Sequence, residues 1–138
     1  MAKGQTSIDL LLALLAAIVF MAVLNIYIGN LSQDAAQSSL RNSAKAILLD
    51  AYAATGEVKA YGLTIDYMPP QPAMPAPCSI EFDNDNSDAK TGLKVSLGGE
   101  TAGYSGINFD DIKIGGSSLA GNNTATKPCN EKFTIGKA

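Results

Sequence analysis

The sequence predicts an α+β fold: one long N-terminal helix, followed by a small antiparallel β-sheet or sandwich head. Three observations carry this reading of the 138 residues. An almost unbroken apolar run occupies Leu10 to Ile28, an amphipathic pattern continues it to Thr55 without a proline, and from Ala60 the apolar period changes from helical to two.

The first half of the predicted helix is apolar on every side. Asn25 is the only strongly polar side chain between Leu10 and Ile28, and at 1.5 Å per residue the stretch is about 28 Å long, enough to cross a bilayer. A cleaved secretory signal has a shorter apolar core and a small-residue cut site, whereas this run passes into NIYIGNLSQDAAQ without one. The segment is expected to be retained. The second half reads as amphipathic: Leu31, Ala35, Leu40, Ala44, Ile47, Leu48, Ala51 and Tyr52 recur at three- to five-residue spacings, with Asp34, Arg41, Lys45 and Asp50 between them. Gly56 is the expected end of the helix. A helix over 5–56 is about 75 Å long, too long to pack inside an 80-residue partner, so its first half must be buried by lipid or by other copies of itself.

The head, 60–138, shows alternation at Tyr61–Tyr67, Cys78–Phe82 and Leu93–Leu97. A fourth strand is expected from Ile107 and Phe109, with a bulge or bend across Asp110 and Asp111 before Ile112 and Ile114 resume; Phe133 and Ile135 make a short last one. The segments 83–92, 98–106 and 115–128 carry turn chemistry and read as connections. Residues 68–78, MPPQPAMPAPC, hold five of the six prolines and read as a stiff extended loop between the first two strands.

Composition narrows the function classes. Ten Lys plus Arg against thirteen Asp plus Glu give a net charge of −3, and no basic block is present to follow a phosphate backbone, which argues against nucleic acid. The absence of His and Trp removes the usual general base at neutral pH and the commonest metal ligand. No enzymatic activity and no cofactor are expected. Cys78 and Cys129 are free buried thiols on one reading, but an even count downstream of a hydrophobic N-terminal segment favours a disulfide in an exported domain.

Asp9 stands where the apolar run begins. A carboxylate there costs several kcal/mol if buried unpaired, so it implies a cationic partner at some stage. The string Lys3-Gly4-Gln5-Thr6-Ser7-Ile8-Asp9, followed by the Leu/Ala/Ile/Val run, resembles the class III signal peptide of type IV pilins, and its Lys-Gly-Gln form resembles the archaeal ones. The resemblance implies cleavage by a prepilin peptidase after Gly4, residues 1–4 being the leader, and a mature chain that begins at Gln5. Asp9 is then the fifth residue, where the family carries an acidic residue, usually Glu. It also implies a membrane-inserted subunit that the pilus machinery assembles with copies of itself into an extracellular adhesive filament. The core of that filament would hold Leu10, Leu11, Leu14, Leu15, Ile18, Phe20 and Val23. Cleavage creates an α-amine at Gln5, a suitable partner for Asp9 across a subunit boundary when both are desolvated. The rival reading is a monomeric binding domain held at the membrane by an uncleaved helix, with Lys3 inside.

Two weaker signals complete the inventory. DNDNSD at 83–88 places Asp83, Asp85 and Ser87 at alternating positions of a calcium loop, with Asp88 as a further carboxylate. The sixth place lacks glycine and the twelfth is Lys94, so a solvated turn is the better reading. The sequons at Asn30 and Asn122 are candidate glycosylation sites; Asn122 lies in a Gly/Asn/Thr loop and is the better placed.

Overall fold

The computed structural model describes residues 5–84 and 92–138, with side chains from residue 8 onward. Among the described residues are a helix, α1, at Gln5–Tyr61, and eight strands: β1 Ile65–Tyr67, β2 Cys78–Asp83, β3 Gly92–Leu97, β4 Glu100–Ser105, β5 Ile112–Ile114, β6 Ser117–Ser118, β7 Thr124–Pro128 and β8 Phe133–Lys137. The strands form two antiparallel four-stranded sheets, ordered β1-β8-β5-β6 and β4-β3-β2-β7. The chain divides into two compact units, Met1–Gln37 and Ser38–Ala138. The α+β arrangement is as expected.

The second unit includes the last turns of α1. Ala44, Leu48, Ala51, Thr55 and Val58 recur at spacings of four and three and are buried, with Ile47 beside them. They join a core built from Ile80, Phe82, Leu93, Val95 and Leu97 of one sheet and Ile112, Ile114, Phe133 and Ile135 of the other. Phe82 meets Phe133 edge-on at 6.1 Å and Phe109 at 5.9 Å, and Phe133 meets Tyr67 at 5.3 Å. This chain of rings ties the sheets together at favourable edge-to-face angles. α1 also runs beside the outer strand β4, pinned by the Arg41–Glu100 ion pair at 3.4 Å and the Tyr52–Tyr104 ring contact at 5.6 Å. A helix so placed shields an edge that would otherwise invite pairing.

Several elements differ from expectation. α1 continues past Gly56 to Tyr61, because Val58 is buried in the core and holds one further turn against it. The stop is at Gly62, whose left-handed φ of 66° lets its N–H donate to the Val58 carbonyl at 2.9 Å. The strand expected from Tyr61 therefore begins only at Ile65. Ile107 and Phe109 are not in a strand: the Ile112 N–H donates to the Phe109 carbonyl at 2.9 Å, closing a turn over Asp110 and Asp111. Conversely, 98–106 and 115–128 are not merely connections, since they contain β4, β6 and β7. Gly98–Gly99 and Gly115–Gly116 are two-residue hairpin loops with positive φ at both positions, the geometry that matches strand twist. The proline-rich stretch does connect β1 to β2.

Two polar devices hold the ends of the head. Cys78 and Cys129 are bridged, with Cα atoms 5.4 Å apart, across the end of the β2–β7 pair. At the other end Asn84 is fully buried. Its amide donates to Asp110 Oδ1 at 2.7 Å and to the Leu119 and Gly121 carbonyls at 2.8 and 3.2 Å, while its Oδ1 accepts from the Phe109 N–H at 2.9 Å. One side chain thus satisfies the backbone of two loops.

Truncating it leaves those groups buried and unpaired, so Asn84→Ala should lower the unfolding free energy by about 3 kcal/mol. Replacing both cysteines by serine should cost about 4 kcal/mol by releasing a loop of that length in the unfolded chain. Urea denaturation of each variant, read against the unsubstituted protein, checks both values.

Candidate functional site

In most chains an apolar helix of this length is covered by the rest of the molecule; here it is not. Among the described residues, every one from Ile8 to Ile28 is exposed, on all faces of the helix. The seven side chains expected to line a core, Leu10, Leu11, Leu14, Leu15, Ile18, Phe20 and Val23, are each 58–70% exposed. The segment is long and apolar enough to cross a membrane. Burying a Leu, Ile, Val or Phe side chain is worth about 1.5–3 kcal/mol, so the whole band stores on the order of 30 kcal/mol that only a partner outside the chain can release.

Asp9 is also exposed and has no hydrogen-bond or ion-pair partner among the described residues. It lies one helical turn from Gln5, the first residue of α1, so the two positions share a face. Gly4 and the rest of the expected leader lie outside the described residues. The structure therefore brings Gln5 and Asp9 to one end of the apolar band.

Elsewhere the sequence-based candidates separate. The Cys78–Cys129 disulfide is present. Asn122 is exposed in the turn preceding β7, and Thr124 of its sequon donates from Oγ1 to Asp83 Oδ1 at 3.2 Å. Asn30 is exposed on α1. Of the calcium candidates, Asp85 and Asp88 lie outside the described residues, and Asp83 is engaged by Thr124. No group of three or more potential metal ligands occurs among the described residues. Asn84, the buried organiser of this end of the head, was hidden inside DNDNSD, where every residue reads as a solvated turn former. Only the failure of the chain to turn immediately after Asp83 distinguishes it.

Two titratable groups in the head are perturbed. The exposed Asp110 carboxyl is held below its ordinary range by hydrogen bonds from the Asn108 and Asn84 amides. The Tyr67 phenol is pushed above its usual value of 10, first by burial and then by the Asp50 carboxylate beside it. Its hydroxyl closes no hydrogen bond of normal geometry.

No family model, curated protein or solved structure matches the chain.

The Tyr67 environment makes stability depend on alkaline pH. The folded pKa lies above the unfolded one, so the contribution is complete below pH 10 and is lost as pH rises, because only the unfolded chain gives up the proton. Unfolding free energy should fall above pH 10 by up to about 1.4 kcal/mol per unit. Tyr67→Phe should flatten that slope in denaturant titrations at pH 9 to 11.

Proposed function

We propose that the chain is the structural subunit of an archaeal type IV pilus. It is inserted in the cytoplasmic membrane by its apolar helix, cut after Gly4 by a prepilin peptidase, and polymerised by the pilus machinery into a surface filament used for adhesion. The observation that carries this reading is the wholly exposed apolar band from Ile8 to Ile28 with Asp9, unpartnered among the described residues, at its start. The band has to be covered before and after assembly, by lipid first and by other helices later. The head has a core and a disulfide of its own and so folds without help from the band.

An uncleaved membrane tether accounts for the band but leaves Asp9 without a cation. Cleavage supplies one: the new amine of Gln5 on a neighbouring copy. Both charges are desolvated when helices bundle, and a misplaced subunit leaves both unpaired, so the pair selects register more than it adds net stability. A head-to-tail polymer of this kind is open and helical.

Asp9→Ala should leave membrane insertion and processing intact, with mass spectrometry finding a chain that starts at Gln5. Filaments recovered by shearing and counted by electron microscopy should fall at least tenfold. Normal filaments from this variant, or a mature surface protein that still carries Met1, would count against the reading.

A further inference from the structure

The two ties that hold α1 beside β4 lie at the ends of their contact, Arg41 to Glu100 at one and Tyr52 to Tyr104 at the other. Between them helix and strand enclose a groove of about 340 Å³, near the lower end of the volumes that ligand sites occupy. Its helical wall carries Arg41, Lys45 and Leu49, each one turn from the next, and its strand wall is Thr101, Gly103 and Tyr104. The two-residue loop Gly98–Gly99 makes Leu97 and Glu100 a hydrogen-bonded pair, so the ladder to β3 uses Glu100, Ala102 and Tyr104. The N–H and C=O groups of Thr101 and Gly103 therefore point away from β3, and no other backbone group among the described residues meets them.

We propose that this groove binds a carboxylated saccharide, with the carboxylate against Lys45 and the free edge of the Arg41 guanidinium and the sugar hydroxyls against Thr101 and Gly103. The site belongs to the unit Ser38–Ala138 alone, so it goes beyond the filament reading and does not depend on it.

Charge, hydrogen bonding and shape select that ligand. Glu100 engages Arg41 at Nε, 3.4 Å away, which leaves the two terminal guanidinium nitrogens free, and Lys45 is exposed with no partner among the described residues. The helical wall is thus cationic on a chain whose net charge is −3, and a guanidinium beside an ammonium suits a carboxylate. Across the groove, the Thr101 hydroxyl and two backbone N–H and C=O pairs present donors and acceptors together. Sugar hydroxyls, which donate and accept at once, are their complement. The half-exposed Leu49 and Tyr104 add apolar surface for the C–H face of a ring. An acidic peptide matches the charge, but as an added strand it would have to run on past Thr101 and Gly103, where Glu100 and Tyr104 are tied to the helix on either side. A simple anion satisfies the cations and leaves the strand wall unmet.

The full-length chain in nonionic detergent tests this, with trigalacturonate as the probe. By calorimetry it should bind at least tenfold more tightly than the neutral trisaccharide maltotriose, and the backbone amide resonances of Thr101 and Gly103 should shift on binding. Lys45→Glu should weaken trigalacturonate at least tenfold and Lys45→Arg should retain it. Lys113→Glu, the same charge change at an exposed position of β5 in the other sheet, should leave binding unchanged. Trigalacturonate bound no more tightly than maltotriose, triglutamate or acetate overturns the site, as does binding that leaves Thr101 and Gly103 unmoved or that Lys113→Glu weakens as much as Lys45→Glu. Such a failure in a chain that yields normal filaments leaves the filament reading standing. Selective binding by a chain that never yields filaments upholds the groove and overturns the filament reading.

Discussion

An apolar helical band that nothing among the described residues covers is the constraint from which the rest of this molecule follows. From Ile8 to Ile28 the helix has no polar face to turn toward water, so no rearrangement of the chain alone resolves it. Lipid resolves it for one copy, and a bundle of like helices resolves it for many. The single carboxylate near its start is costly in either setting unless a cation arrives with the partner. On the filament reading proposed above, that cost makes Asp9 a device for register, where a simple anchor would have no use for it.

The head meets a different demand, which is to be stable apart from that band. It is small, and small domains bury too little surface to be comfortable without covalent or polar reinforcement. The chain lends it the last turns of α1 as a third layer, closes one end with a disulfide, and closes the other with Asn84, whose amide and carbonyl together stand in for the backbone partners that two loops lack. α1 therefore has two roles over a few turns. Ala44, Leu48, Ala51, Thr55 and Val58 belong to the head, while the opposite face is left to whatever lies outside it.

Strands with a buried face were legible in the sequence because burial on one side enforces alternation: Ile80 and Phe82, Val95 and Leu97, Phe133 and Ile135 all lie where the period of two puts them. The strands that escaped notice are β4, β6 and β7, which lie at sheet edges and bury little, so Thr, Gly, Ser and Ala replace the apolar alternation. The helix end was displaced for the converse reason. Gly56 is a breaker only where the chain is free to leave the helix, and the docking of Val58 forbids it. At the candidate site, the apolar band and Asp9 were plain from composition.

By itself, then, the sequence determined the class of structure, a long helix with an apolar first half and a β-rich head, and the paired cysteines that close it. These depend on local periodicity and on residue chemistry, which one chain displays in full. Tertiary structure alone decided where the helix stops, which weak segments become edge strands, and that Asn84 is buried. Each of those depends on what lies across the core from a residue, and no neighbour along the chain carries that information.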